Sequence, residues 1–379
     1  MWYFCFAALF VLILCVSCQR SAGAEPARNI VDIHCHTAGI GAGGSGCFIS
    51  RSMRRSIRYR IFLRAFGVTE AELNRAGDTL VLRRLSEELV KSRYVSRAVV
   101  LAMDGIIGSD GQLDRQRTEM YIPNEFLARE LKRYPNLLFG ASINPYRSDA
   151  LQRLDRAAAD GAVLVKWLPS IQFIDPADSR LIPFYRRLKE LGLPLLTHTG
   201  TEESFTWARN ELADPERLRL PLSLGVKVIA AHAASNGRNA GENNFRRFLA
   251  LSKEFDNLYA DISALTQVNR LGHMDRVLGQ KHLHERLFYG TDMPILKTGI
   301  TSPWFHGYRI SPFRLFRILA EKNPWDRDVM LKETLGMTRV MLERSAQLIG
   351  PQQCRTARVA EIEFTRVQYG SLAAKAERN

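Results

Sequence analysis

Runs of β-branched and aliphatic residues recur along the chain at 29–36, 96–103, 137–144, 162–168, 193–198, 226–232, 257–263 and 286–292. Between them lie stretches with helical periodicity. Residues 147–160 open on Ser148 and Asp149 and stop before Gly161, a helix start and stop in the expected order. In 179–191, Leu181, Phe184, Leu188 and Leu191 fall on one face ahead of Gly192, and 245–254 and 312–321 show similar apolar faces. Alternating strands and helices predict βα units and a parallel sheet. Eight such units, spaced beyond the second by about one strand and one crossover helix, predict an α/β chain closed into a (β/α)8 barrel. Its active-site residues belong at the C-terminal ends of the strands.

The rhythm breaks once, between the first and second strands. A glycine-rich loop from Gly39 to Gly46 leads into 50–66, which carries Arg51, Arg54, Arg55, Arg58, Arg60 and Arg64 and no acidic residue. Met53, Ile57, Ile61 and Phe62 can share a face, so a basic amphipathic helix is expected there. It is a helical insertion with solvated arginines, a contact for anionic lipid, or a recognition element for an anionic substrate group; the pattern leaves all three open.

Residues 1–17 are almost wholly apolar and bear on where the protein works. They resemble a secretory signal that lacks the usual basic start. Val16-Ser17-Cys18 looks like a lipoprotein cleavage box with Cys18 as the lipidated residue, although Cys15 stands where that box has leucine. Ala22-Gly23-Ala24 offers a competing small-x-small cleavage site, and an uncleaved anchor is the third reading. Each exports the domain to a periplasmic or membrane-anchored location. The expected division is 1–24 as signal or anchor, 25–350 as the barrel and 351–379 as a C-terminal tail. Of six cysteines, only Cys35, Cys47 and Cys354 lie beyond the leader, which excludes a disulfide framework. Cys35 is expected to point outward, against covering helices.

The 379 residues suffice for one large barrel, and a 46% apolar content suits a buried core. The formal net charge of +14 would suit a polyanion or an anionic membrane surface. The basic residues are spread along the chain without a zinc-finger or RNA-binding signature, so no nucleic-acid partner is expected. A small molecule is the expected substrate, with membrane association through the N-terminus.

Candidate chemistry begins in Ile30-Val31-Asp32-Ile33-His34-Cys35-His36. In a regular strand Asp32, His34 and His36 share one face. Two imidazoles at the strand's exit can close on one metal ion, because neutral imidazole is a good ligand for zinc and other divalent ions. His198 and His232 end later apolar runs, and Asp292 ends the last. Strands one and eight are neighbours in a closed barrel, so Asp292 should arrive beside His34. Asp261 and Asp104, at the ends of the seventh and second strands, line the site or cap loops. Among His273, His282, His284 and His306, only His306 is a candidate for substrate contact.

The sequence resembles the amidohydrolase superfamily, in particular the amidohydrolase-related group that includes aminocarboxymuconate semialdehyde decarboxylase. The resemblance spans about 29–350 and rests on Val31 to His36, Val165-Lys166-Trp167-Leu168-Pro169, Leu196-Thr197-His198-Thr199-Gly200, Ala230-Ala231-His232 and Tyr289-Gly290-Thr291-Asp292-Met293-Pro294. It implies a distorted (β/α)8 TIM barrel with a helical insertion after the first strand. It also implies one divalent ion, zinc first, held by His34, His36, His198 and Asp292. Asp292 would move the proton, and His232 would polarise the substrate or shuttle a proton. Lys166 would contact substrate or groups behind the ligands, or, carboxylated, bridge two ions; Asp32 would orient a ligand from behind. The expected reaction is hydrolysis of an ester, lactone or amide by a metal-activated water. A metal-dependent non-oxidative decarboxylase of an aromatic or enol acid, and a non-catalytic ligand-binding surface lipoprotein, are the alternatives.

Overall fold

The computed structural model describes residues 29–349. Eight parallel strands follow one another around a single sheet: β1 Ile30–His36, β2 Val95–Leu101, β3 Leu137–Ala141, β4 Leu164–Trp167, β5 Leu195–His198, β6 Val228–Ala231, β7 Leu258–Asp261 and β8 Leu287–Phe288. The ends of the sheet meet through the chain that follows β8. Ile33 N donates to Tyr289 O at 3.1 Å, Asp292 N to His34 O at 2.9 Å and His36 N to Met293 O at 2.9 Å. The chain is thus an α/β TIM barrel, closed beside the histidines of β1.

Alternation along the strands separates two apolar layers. Val31, Ile33, Leu164, Leu196, Ile229 and Phe288 fill the barrel, and Ile349 packs with them where the chain closes the end opposite the site. Ile30, Ala98, Val165, Trp167, Val228 and Tyr289 face outward into the helical shell. Cys35 belongs to this outer layer, fully buried and unbridged, as its position requires.

β1 departs from strict alternation. Its pairing with β2 shifts register between Asp32 and Cys35, a bulge that turns both Ile33 and His34 inward. Asp32 therefore lies on the opposite face from His34 and His36, which corrects the single face expected of the three.

The insertion after β1 comprises α1 Arg51–Arg55, α2 Ile57–Ala65, α3 Glu70–Ala76 and α4 Thr79–Leu89. The expected single amphipathic helix over 50–66 is two. Ser50 and Ser56 each accept a bond from a backbone N–H of the helix that follows, and the extended backbone of Ser56 ends α1 as it starts α2. The break rotates the faces: Met53, Tyr59 and Leu63 are buried, whereas Ile57 and Ile61 are exposed. The glycine-rich loop is tied down by Asp78, whose carboxylate accepts from Ile40 N, Gly41 N and Ser45 Oγ.

The crossover helices include α5 Asn124–Glu130, α6 Ala150–Ala159, α7 Ile182–Glu190, α8 Asn244–Glu254 and α9 His273–Leu278; α10 Pro312–Ala320 and α11 Pro324–Thr334 follow β8. No helix among the described residues is long and apolar enough to cross a membrane. Cys18, the leader and the tail from 351 lie outside the described residues.

Candidate active site

His34 is anchored from behind. Its Nδ1 lies 2.7 Å from Asp261 Oδ2 and 3.1 Å from Ser263 Oγ, so Nδ1 carries the proton and donates to the carboxylate. Burial and the Lys166 charge push the His34 pKa down to about 4, so the ring is neutral at physiological pH. Burial alone would raise Asp261, but the adjacent His34, its hydrogen bond, His232 and Ser263 hold it well below the usual carboxylate range.

This tautomer leaves the lone pair of His34 on Nε2, which faces the other candidates. His36 Nε2 is 3.2 Å away and Asp292 Oδ1 3.5 Å, with 3.4 Å between the latter two. Burial opposes ionisation of Asp292, yet the neighbouring histidines hold it well below the usual range. Two ring nitrogens and an ionised carboxylate oxygen so close together, with a carboxylate behind one ring, form a group that could hold a metal ion. Three strand ends bring them together, and Asp292 reaches its place through a left-handed backbone, φ 61°.

His198, at the end of β5, is buried, and its Nε2 has no hydrogen-bond partner. Its Nδ1 is 3.6 Å from Glu202 Oε2, and its ring lies 5.2 Å from that of His232. The structure places it in the same cavity but outside the compact group of His34, His36 and Asp292. An unpaired nitrogen on a buried imidazole is rare in a folded interior, so this atom fits a ligand absent from the protein chain.

His232 opens a run of three left-handed residues, φ 58°, 49° and 49° at His232, Ala233 and Ala234. Such backbone costs about 1–3 kcal/mol per residue and persists only where the surroundings impose it. Here His232 N donates to Asp261 Oδ1 at 2.9 Å, and Nδ1 lies 2.8 Å from Ser263 Oγ. Burial lowers the His232 pKa well below its ordinary value, leaving a neutral ring that lines the cavity. His34, His232 and Asp261 also cluster tightly, but Asp261 is already engaged by His34, Ser263 and the His232 amide. That cluster is a hydrogen-bonded buttress.

Lys166 is fully buried, with Nζ 3.0 Å from His34 Nε2; burial draws its pKa down to about 8 against the pull of Asp261, Asp292 and Glu202. Asp32 has a different setting from the one expected. Its carboxylate accepts from His34 N at 3.0 Å, Thr291 N at 3.1 Å, Thr291 Oγ1 at 2.5 Å and Trp325 Nε1 of α11 at 2.9 Å. It contacts neither imidazole ring and fixes the backbone segments that carry His34 and Asp292. The carboxylate behind His34 is Asp261.

Asp104 and His306 stand apart from the cavity. Asp104 makes a buried pair with Arg147 at 2.6 Å, and His306 Nε2 bonds Thr266 O at 3.0 Å. Of the arginines in 51–64 only Arg58 reaches the cavity, where it is exposed and donates to Phe205 O. Sequence reasoning missed Ser263 and Glu202, which lie in loops, and Arg270, which ends the short 3-10 helix Val268–Arg270. Only Glu202, four residues beyond His198, carried a positional cue.

The cavity over the group has a volume of about 560 Å³, within the range for small-molecule sites. Met53, Ile61, Phe62 and Phe66 of the insertion, with Phe205 and Ile295, give it apolar walls.

A TIM barrel with imidazoles and a carboxylate gathered at the C-terminal ends of its strands defines the class of protein. Residues 88–315, more than half the chain, match the amidohydrolase family, and the protein belongs to that family. No curated protein matches the sequence. Among solved structures, an uncharacterized TIM-barrel protein from Bordetella bronchiseptica is similar at 19% identity, over 80% of this chain and 99% of its own, with a TM-score of 0.50. A putative 2-pyrone-4,6-dicarboxylic acid hydrolase from Pseudomonas putida matches at 16% identity, 81% and 98% coverage and a TM-score of 0.45. The 5-carboxyvanillate decarboxylase from Sphingomonas paucimobilis matches at 12%, 87% and 98%, and 0.45.

Proposed function

We propose that the protein is a metal-dependent hydrolase of an ester, lactone or amide. The observation that carries this is the convergence of His34 Nε2, His36 Nε2 and Asp292 Oδ1, with Asp261 fixing the His34 tautomer. In this reading His34, His36, His198 and Asp292 hold one divalent ion, zinc first. The unpartnered Nε2 of His198 supports its inclusion. When bound, such an ion supplies Lewis acidity and lowers the pKa of water toward neutrality.

The chain's own residues do the rest. Asp292, ionised, accepts the proton of an attacking water and returns it to the leaving group. His232, neutral and held by Ser263, orients the substrate carbonyl from the next strand. Lys166, close to His34, places a positive charge beside the developing oxyanion. The apolar walls exclude bulk water.

The test is elemental analysis of the dialysed full chain together with a panel of esters, lactones and amides. About one equivalent of metal, with activity lost on chelation and restored by zinc, is the expected result. Near two equivalents with a requirement for carbon dioxide would instead establish a carboxylated Lys166. Release of carbon dioxide from an acid, without hydrolysis, would assign the decarboxylase reaction. Full activity after complete chelation would overturn both metal readings.

A further inference from the structure

The end of the barrel that carries the cavity exposes a band of large apolar side chains. All four exposed aromatic residues among those described lie in the segment after β8: Trp304, Tyr308, Phe313 and Phe316 are 59%, 70%, 73% and 64% exposed. Leu315 and Ile318 form the buried side of α10, which leaves Phe313, Arg314, Phe316 and Arg317 outside. The rings of Trp304 and Phe316 lie 6.3 Å apart. Ile300, four residues before Trp304, and Ile61 of α2 are also exposed, and both line the cavity mouth. Ile57, one helical turn before Ile61, continues the band. Exposed apolar patches rimmed by polar groups mark contact surfaces.

The same two segments carry one sign of charge. Residues 33–69 hold six arginines, and 293–320 hold one lysine and three arginines, with no aspartate or glutamate in either. Arg54, Lys297 and Arg309 pair with Glu70, Glu88 and Asp275. The other seven have no carboxylate of the described residues within 4.0 Å. Beside Asp292, the cavity is lined by two carboxylates, Glu202 and Glu203, so the rim keeps a positive balance.

We propose that this rim docks on an anionic phospholipid bilayer, with Trp304, Phe313 and Phe316 among the headgroups and the unpaired arginines on lipid phosphates. Guanidinium binds phosphate through paired hydrogen bonds, and aromatic rings settle at the boundary between headgroup and hydrocarbon. Arginines beside exposed Trp, Phe and Ile make the pattern of a surface that lies on such a boundary. A nucleic acid would meet the arginines but offers no hydrocarbon layer for Ile57, Ile61 and Phe313. β1 starts at Ile30, at the end of the barrel opposite the mouth, so this contact is separate from residues 1–17. It does not depend on the reaction at the site.

The full chain and its Trp304→Phe variant are titrated with vesicles whose acyl chains carry bromine, a quencher of tryptophan fluorescence. The vesicles are phosphatidylcholine alone or an equimolar mixture with phosphatidylglycerol. Quenching of every other tryptophan is common to both proteins, so their difference reports Trp304 alone, even where residues 1–17 hold the chain on the vesicle. That difference should be present on the anionic vesicles and lost on the neutral ones and at high salt. A second pair carries Arg60→Gln, Arg64→Gln, Arg314→Gln and Arg317→Gln, four exposed positions outside the catalytic group. There the anionic lipid concentration giving half of the Trp304 signal should rise by about tenfold or more. All variants should keep the wild-type melting temperature, because the altered side chains are exposed. Equal quenching of wild type and Trp304→Phe on anionic vesicles would mean that the rim does not touch the bilayer, and would overturn the proposal. So would a difference of equal size on neutral vesicles, or one unchanged by the four glutamines. Light scattering without lipid covers a second copy of the chain as occupant: a dimer that Phe313→Ser with Phe316→Ser dissociates would assign the band to that contact and overturn the bilayer.

Discussion

Asp292 and His34 face the same point, and the proposed mechanism gives them different duties that two substitutions separate. Asparagine at 292 keeps the shape and an oxygen ligand while removing the charge and the proton acceptor. Metal content should survive at least in part, and turnover should fall by roughly 10²–10⁴-fold, the range for losing a general acid–base group. His34→Ala removes the nitrogen that Asp261 orients, so metal and activity should disappear together. Metal analysis and turnover on the same preparations check both, and near wild-type turnover in a metal-replete Asp292→Asn would remove Asp292 as the base. At this scale the sequence was partly transparent. His34, His36 and Asp292 were visible because each ends a strand-like run, and strand position dictates where such residues meet. Asp32 misled because a bulge, which leaves no mark in composition, reversed its face. Asp261 could be placed at a strand end but not opposite His34, since that depends on packing across 227 positions of sequence. Arg270 carried no signal, because nothing in the sequence distinguishes an arginine that lines a cavity from one that faces solvent.

At the scale of elements, the eight strands were readable in number and order, since each needs a short aliphatic run and a crossover helix. Their lengths were not. The last run, 286–292, forms a strand only at Leu287–Phe288, because the chain beyond leaves β7 and bends over the mouth beside β1. Gly290 makes that path possible: a Cβ there would stand 2.9 Å from His34 Cβ and 3.3 Å from Ser263 Cβ. Gly290→Ala should therefore displace His34 or the Asp292 segment while the barrel still forms. Displacements approaching 1 Å in such a site cost on the order of 10²-fold in rate. The expected outcome is weakened zinc binding by competition with a chelator and turnover reduced by about that factor, with an unchanged far-ultraviolet circular dichroism spectrum. Wild-type zinc affinity would mean that the loop absorbs the methyl group elsewhere. The insertion shows the opposite limit of sequence reading. Its helical character was legible, but the helix start at Ser56 turned one expected face into two, burying Tyr59 and Leu63 and exposing Ile57 and Ile61.

For the whole molecule, two expectations remain, one about location and one about cohesion. The apolar leader supports export, with a mature chain beginning at Cys18 or shortly after Ala24; intact mass of the native protein distinguishes these, since acylation adds mass that ordinary cleavage does not. A chain that keeps Met1 in a cytosolic fraction would remove that reading. Cohesion follows from where the ligands sit. His34 and His36 end β1, His198 ends β5, and Asp292 lies beyond β8, so an ion held as proposed would join the seam of the barrel to its far wall. An ion that binds only the folded chain stabilises it by mass action, by about 2.7 kcal/mol at a free concentration 100-fold above its Kd. Chelation should therefore lower the melting temperature by several degrees, and zinc should restore it in a concentration-dependent manner. His34→Ala should melt at the same temperature with and without zinc. Asp292→Asn should keep a reduced response, since the proposed site would retain its three histidine nitrogens. A wild-type melting temperature indifferent to both chelator and zinc would mean that these four residues do not act as one site.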